Sequence, residues 1–122
     1  MMSIRLILAT HLLLVSTWFG SVAVAAPTQG SCPKGSMNAT QYSVGSGTAS
    51  GQAFRPDGLT AAHKKLPFGT RVKLTNPHTG ASTVVTINDR GPFTRGRDID
   101  LSRGAARAIG LSSVGTVCAE IL

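Results

Sequence analysis

A β-branched run that stops abruptly in a turn most constrains what this chain can fold into. Val84, Val85, Thr86 and Ile87 favour a strand, and residues 88–92, Asn-Asp-Arg-Gly-Pro, favour the turn that ends it. The preceding segment, Thr70–Thr75, alternates apolar and charged residues, which is typical of a half-buried strand. We therefore predict a hairpin of strands over Thr70–Thr75 and Ser82–Asn88.

The remaining segments are equally short. We predict strands over Ala39–Val44 and Val114–Leu122, and a helix over Arg103–Ile109 that Ser102 caps and Gly110 ends. Leu59–His63 is a short apolar piece with no assigned element. Short strands joined by glycine-rich turns indicate a mainly β fold, a small closed β-barrel that leaves no exposed strand edges, with one or two short helices.

An apolar leader precedes this region. Residues 1–5 carry one positive charge, residues 6–19 are mostly apolar, and Ala23-Val24-Ala25 has the small residues that a signal peptidase reads. We predict a signal peptide over 1–25 that is cleaved after Ala25, then a lead-in with the first strand over 26–46 and the barrel domain over 47–122. The alternative is a retained membrane anchor, for which the apolar run is short.

The predicted export decides how the charge and the cysteines are interpreted. The formal net charge is +7 at pH 7, and one unit of it, Arg5, belongs to the leader. Outside the cytoplasm we expect an anionic cell-wall polymer or lipid layer as partner rather than nucleic acid, although solubility alone would also explain the charge. Cys32 and Cys118 are expected to form a disulfide, the alternative being two free thiols.

Few residues can carry chemistry. The sequence shows no zinc-type His/Cys spacing, no phosphate-binding loop and no serine nucleophile elbow, so we expect no metal and no cofactor. Carboxylate chemistry remains, and a glycosidic bond can be cleaved with a single acid/base when the sugar's own hydroxyl attacks. The candidate acids are Asp57, Asp89, Asp98, Asp100 and Glu120.

Asp89 is the predicted general acid. Strand alternation would put it on the face shared by Val85 and Ile87, just past the strand end. Because burial would have to keep it protonated, we expect Arg90 to point away from it, to a backbone carbonyl or the substrate. Asp100 is either a second acid or simply a carboxylate near the N-terminus of the Ser102-capped helix.

Two histidines and one further acid have simpler interpretations. His63 either holds a neighbouring loop through hydrogen bonds or belongs to the site. His78, in the turn over 76–80, is expected to be exposed, and Asp57 is expected to be a turn residue.

From residue 47 to residue 122 the chain resembles the rare lipoprotein A family. The segments that carry the resemblance occur in the family's order and spacing, and they read LTAAH, LPFGT, NDRGPF and DLS. The resemblance implies a six-stranded double-psi β-barrel related to expansins and barwin-like proteins. It also implies a lytic transglycosylase that cleaves peptidoglycan between N-acetylmuramic acid and N-acetylglucosamine, preferably in strands stripped of stem peptides, leaving 1,6-anhydromuramic ends.

The resemblance also assigns residues. The family's essential acid falls on Asp89 and its site histidine on His63, and Asp100 falls on the aspartate of the DLS segment that expansins keep. We expect Gln52, Arg90, Asp100 and Thr60 to bind the substrate. Gln52 stands where the family usually has glutamate, and its amide can hydrogen-bond a sugar but cannot titrate.

Two further departures from the family pattern determine where we expect the protein to act. The chain has no lipobox cysteine and no sporulation-related repeat after the barrel, so we expect an exported, periplasmic or secreted monomer without a lipid anchor. Its expected partner is the peptidoglycan glycan strand. The alternatives are a non-catalytic wall-binding or wall-loosening module of expansin type, which the scarcity of aromatic residues disfavours, and a secreted inhibitor or effector built on the same barrel.

Overall fold

The computed structural model describes Gly20 and residues 31–45 and 47–122. The predicted signal peptide and its cleavage site lie, apart from Gly20, outside the described residues. Among the described residues no helix is long and apolar enough to cross a membrane.

Six strands form a closed ring, so the predicted mainly β barrel is confirmed. Around the ring the strands follow the order β1, β5, β2, β4, β3, β6. β1 runs parallel to β5 and β2 runs parallel to β4, and the other four pairings are antiparallel. Their bounds are Ser36–Tyr42 for β1, Thr60–His63 for β2, Arg71–Thr75 for β3, Ser82–Asp89 for β4, Ile99–Ser102 for β5 and Gly115–Ile121 for β6.

The predicted hairpin is β3 and β4, which pair antiparallel from Arg71 opposite Thr86 to Thr75 opposite Ser82. β1, within the predicted lead-in over 26–46, is a full member of the ring. The helix α1, Arg103–Ala108, begins where predicted, because the Ser102 side chain accepts a hydrogen bond from the Ala105 N–H.

The core fills the barrel interior and the space under α1. Alternation along each strand sends every second residue inward. The fully buried aliphatic side chains of the strands are Ala39, Ala61, Val72, Leu74, Val85, Ile87, Ile99, Leu101 and Val117. From the helical segment, Ala105, Ala106 and Ile109 join the same cluster.

The ends of the barrel region are tied together as predicted. Cys32 and Cys118 form a disulfide across a sequence separation of 86 residues. It fastens the segment before β1 to β6, where Cys118 lies opposite Ser36. His78 is exposed, as expected.

A bulge in β4 corrects one prediction. Ala61 lies opposite Ile87, but Ala62 lies opposite Asp89, so Asn88 is an extra residue in the strand. The extra residue shifts the alternation by one position. Asp89 therefore lies on the outer face of the barrel and not on the inner face with Ile87, and it is the last residue of β4 rather than one beyond it.

Candidate active site

The outer face carries one row of register-matched residues across four strands. Ala62 lies opposite Asp89 on one side and opposite Asp100 on the other, and Thr40 lies opposite Asp100. Neighbouring strands are spaced about 4.8 Å apart, so the backbones of the two aspartates are about 10 Å apart. Ala62, which has only a methyl side chain, lies between the two carboxylates, and we refer to this part of the surface as the Asp89–Asp100 trough.

Asp89 is held by backbone donors at one oxygen. Its Oδ1 accepts the Ala49 N–H at 2.9 Å and the Arg90 N–H at 2.8 Å. Asp89 takes part in neither of the ion pairs found among the described residues, which both involve Asp57. No described residue donates to Oδ2, so a proton on this carboxyl group belongs on Oδ2.

Arg90 points away from Asp89, as the sequence predicted. Its Nη1 donates to the carbonyl oxygens of His63, at 3.3 Å, and Leu66, at 2.8 Å. The guanidinium carbon lies 4.0 Å from the centroid of the Phe68 ring, a cation–π contact. In this arrangement Arg90 clamps the loop that follows β2.

His63 closes β2 but does not join the row. Its Nδ1 accepts the N–H groups of Lys65 at 3.1 Å and Leu66 at 3.0 Å, so the neutral ring carries its proton on Nε2. Strand alternation places it on the face opposite to Ala62. Burial lowers the pKa of His63, the Asp98 carboxylate opposes this shift, and the neighbouring cations, led by Arg90, add to it. These two hydrogen bonds show that His63 holds the loop after β2, and among the described residues no hydrogen bond joins His63 to Asp89.

Asp100 is the second carboxylate of the trough. Its Oδ1 accepts the Thr40 hydroxyl at 2.6 Å. Burial raises its pKa, while the Thr40 hydrogen bond and Arg97 lower it and the Asp89 charge raises it. Asp100 lies two residues before Ser102, the cap of α1, and the hydrogen bond from Thr40 fixes its side chain.

Gln52 and Thr60 line one cleft together with Asn88, the residue before Asp89. The cleft has a volume of about 370 Å³ and is lined by Gln52, Ala53, Arg55, Gly58, Thr60 and Asn88. The Gln52 Oε1 accepts the Asn88 Nδ2 at 3.3 Å, which leaves the amide donors of Gln52 free of described partners. The Thr60 hydroxyl and the Asn88 Oδ1 are buried and have no hydrogen-bond partner among the described residues.

Sequence reasoning missed Tyr42. Its ring stacks on Phe54 with the centroids 4.7 Å apart. Burial, and then the charges of Asp89 and Asp100, raise its pKa to about 12. Its position two residues after Thr40 on a strand is the signal that could have found it.

Asp57 does more than turn the chain. Its carboxylate receives Arg103 Nε at 3.0 Å and lies 3.7 Å from Arg107 Nη1. This pair of contacts fastens α1 to the loop before β2. Among the described residues no group of three His, Cys, Asp or Glu side chains is arranged to hold a metal ion.

The fold and the trough define a small double-psi β-barrel with two carboxylates on its outer face. Residues 34–121 match the family described as lytic transglycolase. The chain belongs to this family, which agrees with the resemblance seen in the sequence.

The relatives of known name match this chain over a small part of their own length. A probable endolytic peptidoglycan transglycosylase RlpA from Nostoc is 60% identical over 81 residues, which cover 65% of this chain and 22% of the relative. The protein of the same name from Synechocystis is 64% identical over 77 residues, covering 62% and 24%. The endolytic peptidoglycan transglycosylase RlpA of Pasteurella multocida is 53% identical over 77 residues, covering 62% and 26%. This chain thus matches about a quarter of the length of these relatives.

Two solved structures share the fold. An expansin from Clavibacter michiganensis superimposes with a TM-score of 0.59 at 23% identity, covering 71% of this chain and 49% of the expansin. A papain inhibitor from Streptomyces superimposes with a TM-score of 0.53 at 22% identity, covering 73% of this chain and 98% of the inhibitor. At these identities the likeness concerns the fold alone.

Proposed function

We propose that this chain is a peptidoglycan lytic transglycosylase that cleaves the bond between N-acetylmuramic acid and N-acetylglucosamine. The observation that carries the proposal is Asp89, an aspartate free of any described ion pair, with Oδ1 bound to two backbone N–H groups and Oδ2 facing no described donor. Membership of the lytic transglycolase family and relatives named as endolytic peptidoglycan transglycosylases support it.

The reaction needs one proton that leaves and returns. Asp89 Oδ2 donates its proton to the glycosidic oxygen, the bond from that oxygen to C1 of the muramic residue breaks, and N-acetylglucosamine leaves with a new hydroxyl. The C6 hydroxyl of the same muramic residue then attacks C1 and gives its proton to the Asp89 carboxylate. A 1,6-anhydro end forms, no water is consumed, and Asp89 regains its starting state.

Substrate binding is assigned to groups around that carboxyl. The free amide donors of Gln52 and the buried Thr60 hydroxyl border the cleft next to Asp89, where they suit sugar hydroxyl and acetamido groups. His63 and Arg90 act on the loop over 63–66, which they hold in place. Asp100 contributes the second charge of the trough.

The finer points of the proposal follow from the substrate. The protein works outside the cytoplasm, in the periplasm or secreted, on glycan strands stripped of stem peptides. One unit of the formal charge of +7 belongs to the predicted leader, and the remaining +6 would attract the carboxylate-bearing wall polymer.

One observation favours a second candidate, a wall-binding or wall-loosening module of expansin type. Gln52 replaces a titratable family residue with an amide, and its side chain is engaged with Asn88. Such a module would use the same trough and cleft without breaking a bond.

The test is product analysis on denuded peptidoglycan strands. The purified protein should release fragments whose mass is lower by one water than that of hydrolysed fragments. Asp89→Asn should abolish them, whereas Asp57→Asn, which removes an exposed carboxylate paired with Arg103, should leave them. Gln52→Glu should give equal or higher activity. Binding to the strands without any anhydro product from the wild type would support the expansin-type module instead.

A further inference from the structure

The cleft near the end of β4, which we call the Gln52–Thr60 cleft, is lined by residues with unpartnered polar groups. The Thr60 hydroxyl and the Asn88 Oδ1 are buried without a hydrogen-bond partner among the described residues. Buried polar atoms are nearly always partnered, because an unmade hydrogen bond is costly once water is excluded. With a volume of about 370 Å³, the cleft therefore has the size and the polarity expected of a ligand site.

Arg55 is the one charged residue that lines the Gln52–Thr60 cleft. Its guanidinium makes no hydrogen bond or ion pair with a described residue. Asp57, the nearest acid along the chain, is engaged with Arg103 at 3.0 Å and lies 3.7 Å from Arg107. A cleft with an uncompensated positive charge attracts anions, and a guanidinium can bind a carboxylate through two parallel hydrogen bonds. The cleft is thus suited to a ligand that carries a carboxylate.

The backbone on both sides of Arg55 is held in place. Phe54, the residue before it, is buried. The Gly58 N–H donates to the Arg55 carbonyl oxygen at 3.0 Å, and the Gly104 N–H of α1 donates to the carbonyl oxygen of Pro56 at 2.8 Å. A side chain that extends from an anchored backbone loses less freedom when it binds a ligand, so more of the contact energy appears as affinity.

Gln52 supplies a neutral donor at the same cleft, close to the proposed general acid. Its Oε1 accepts the Asn88 Nδ2 at 3.3 Å, and Asn88 is buried, so the amide of Gln52 is held while its own N–H groups have no described partner. Asn88 directly precedes Asp89, and consecutive Cα atoms are about 3.8 Å apart. A glycan strand bound at Asp89 can therefore place a neighbouring substituent in the cleft.

The two sugars of the proposed substrate differ in one group. N-acetylmuramic acid carries a lactyl ether on O3, which ends in a carboxylate when the stem peptide is absent and in an amide when it is present. N-acetylglucosamine has a hydroxyl there. We propose that Arg55 is a specificity-determining residue, whose guanidinium binds the free lactyl carboxylate of an N-acetylmuramic residue in the Gln52–Thr60 cleft. The identity of the sugar rests on the proposed function, whereas the preference for its carboxylate can be measured without bond cleavage.

The test is isothermal titration calorimetry on the Asp89→Asn variant, which should bind saccharides without consuming them. One probe is a peptide-free tetrasaccharide of alternating N-acetylglucosamine and N-acetylmuramic acid. The others are the same tetrasaccharide with methyl amides in place of its carboxylates, and chitotetraose. The free carboxylate should lower the Kd by roughly tenfold or more relative to both neutral probes, because hydrogen bonds between charged groups are the strong ones. Equal Kd values, or no binding of any probe, would overturn the proposal.

Substitutions made in that Asp89→Asn variant assign the preference to Arg55. Arg55→Gln should bring the Kd values together by weakening the binding of the carboxylate probe, and Arg55→Lys should keep part of the preference, because it retains the charge but not the planar fork. Both should melt like the parent variant, since the guanidinium has no described partner to lose. The matched control Lys34→Gln removes the same unit of charge from an exposed residue that lines a different cleft with Glu120, and it should keep the preference.

Two results with these variants would overturn the proposal. One is a preference that survives in Arg55→Gln. The other is a preference that Lys34→Gln loses to the same extent, because the overall charge of the protein would then explain it without a site.

The consequence for activity is a change in KM. With peptide-free strands, Arg55→Gln in the otherwise wild-type protein should raise KM by roughly tenfold and change kcat little, because the contact is made equally before and during bond cleavage. A fall in kcat at unchanged KM would overturn the role of Arg55 as a binding group. Absence of anhydro products from the wild type would instead overturn the proposed function, and the calorimetry would still decide whether Arg55 selects the carboxylate.

Discussion

Removing the Cys32–Cys118 disulfide should cost a large share of the protein's stability. The bridge closes a loop with a sequence separation of 86 residues. The chain-entropy relation for a loop of that length gives about 4.6 kcal/mol at 25 °C, a model-dependent figure. Small domains are stable by roughly 5–15 kcal/mol in total, so the double variant Cys32→Ala/Cys118→Ala should be close to its unfolding threshold.

The assay is urea unfolding followed by circular dichroism, with the oxidised wild type and the double variant compared at equal temperature. The midpoint should fall sharply, and the slope should rise because the uncrosslinked unfolded chain exposes more surface. Reductant should bring the wild type to the variant's midpoint and leave the variant unchanged. A loss below about 1 kcal/mol would refute the loop-closure reasoning. Alkylation of both thiols in the native, unreduced protein would refute the pairing itself.

Three further predictions concern packing and pH. Gly104→Ala should destabilise the protein by more than about 2 kcal/mol, because a Cβ there would lie 2.6 Å from the Asp57 carbonyl carbon. This backbone clash outweighs the gain of about 1 kcal/mol in helix propensity. Gly47→Ala, whose Cβ would meet nothing within 4 Å, is the neutral control in the same thermal melts. The pKa of His63 is lowered on folding, so its contribution to stability is complete above about pH 6.5 and is lost as the pH falls through the lowered value. The melting temperature measured against pH should show this loss in the wild type and not in His63→Gln. Equal curves for the two proteins would contradict the prediction. Arg90→Lys cannot span two carbonyls and stack on a ring at once, so amide exchange over residues 63–66 should speed up, and unchanged protection there would exclude the clamp.

The strands that sequence reasoning found are the long ones with a clear local pattern. β3 and β4 have alternation or β-branched runs, and the predicted bounds differ from the observed ones by a single residue at one end. β2 and β5 have four residues each, and a pattern that short carries little periodic signal. Both are strands because their neighbours in the ring pair with them on two sides.

The candidate site, like the strands, could be predicted only where a local sequence pattern marks it. The DLS and NDRGPF segments identified Asp89 and Asp100 as candidates, and Arg90 points to backbone carbonyls as reasoned from the charges alone. The face predicted for Asp89 was wrong, because the bulge that changes it depends on the register of β4 against β2. The contact between Thr40 and Asp100 joins residues 60 positions apart, and no local pattern encodes it. Tyr42 was missed for the same reason.

Because the six strands form a closed ring, each has a hydrogen-bonded neighbour on both sides. Another polypeptide therefore cannot extend this sheet by adding a strand to it, which is the usual route to templated aggregation. Whatever attaches to the ring must do so through side chains and loops. A long polymer could consequently slide across the outer surface and leave it without disturbing the backbone hydrogen bonds that keep the two aspartates in register.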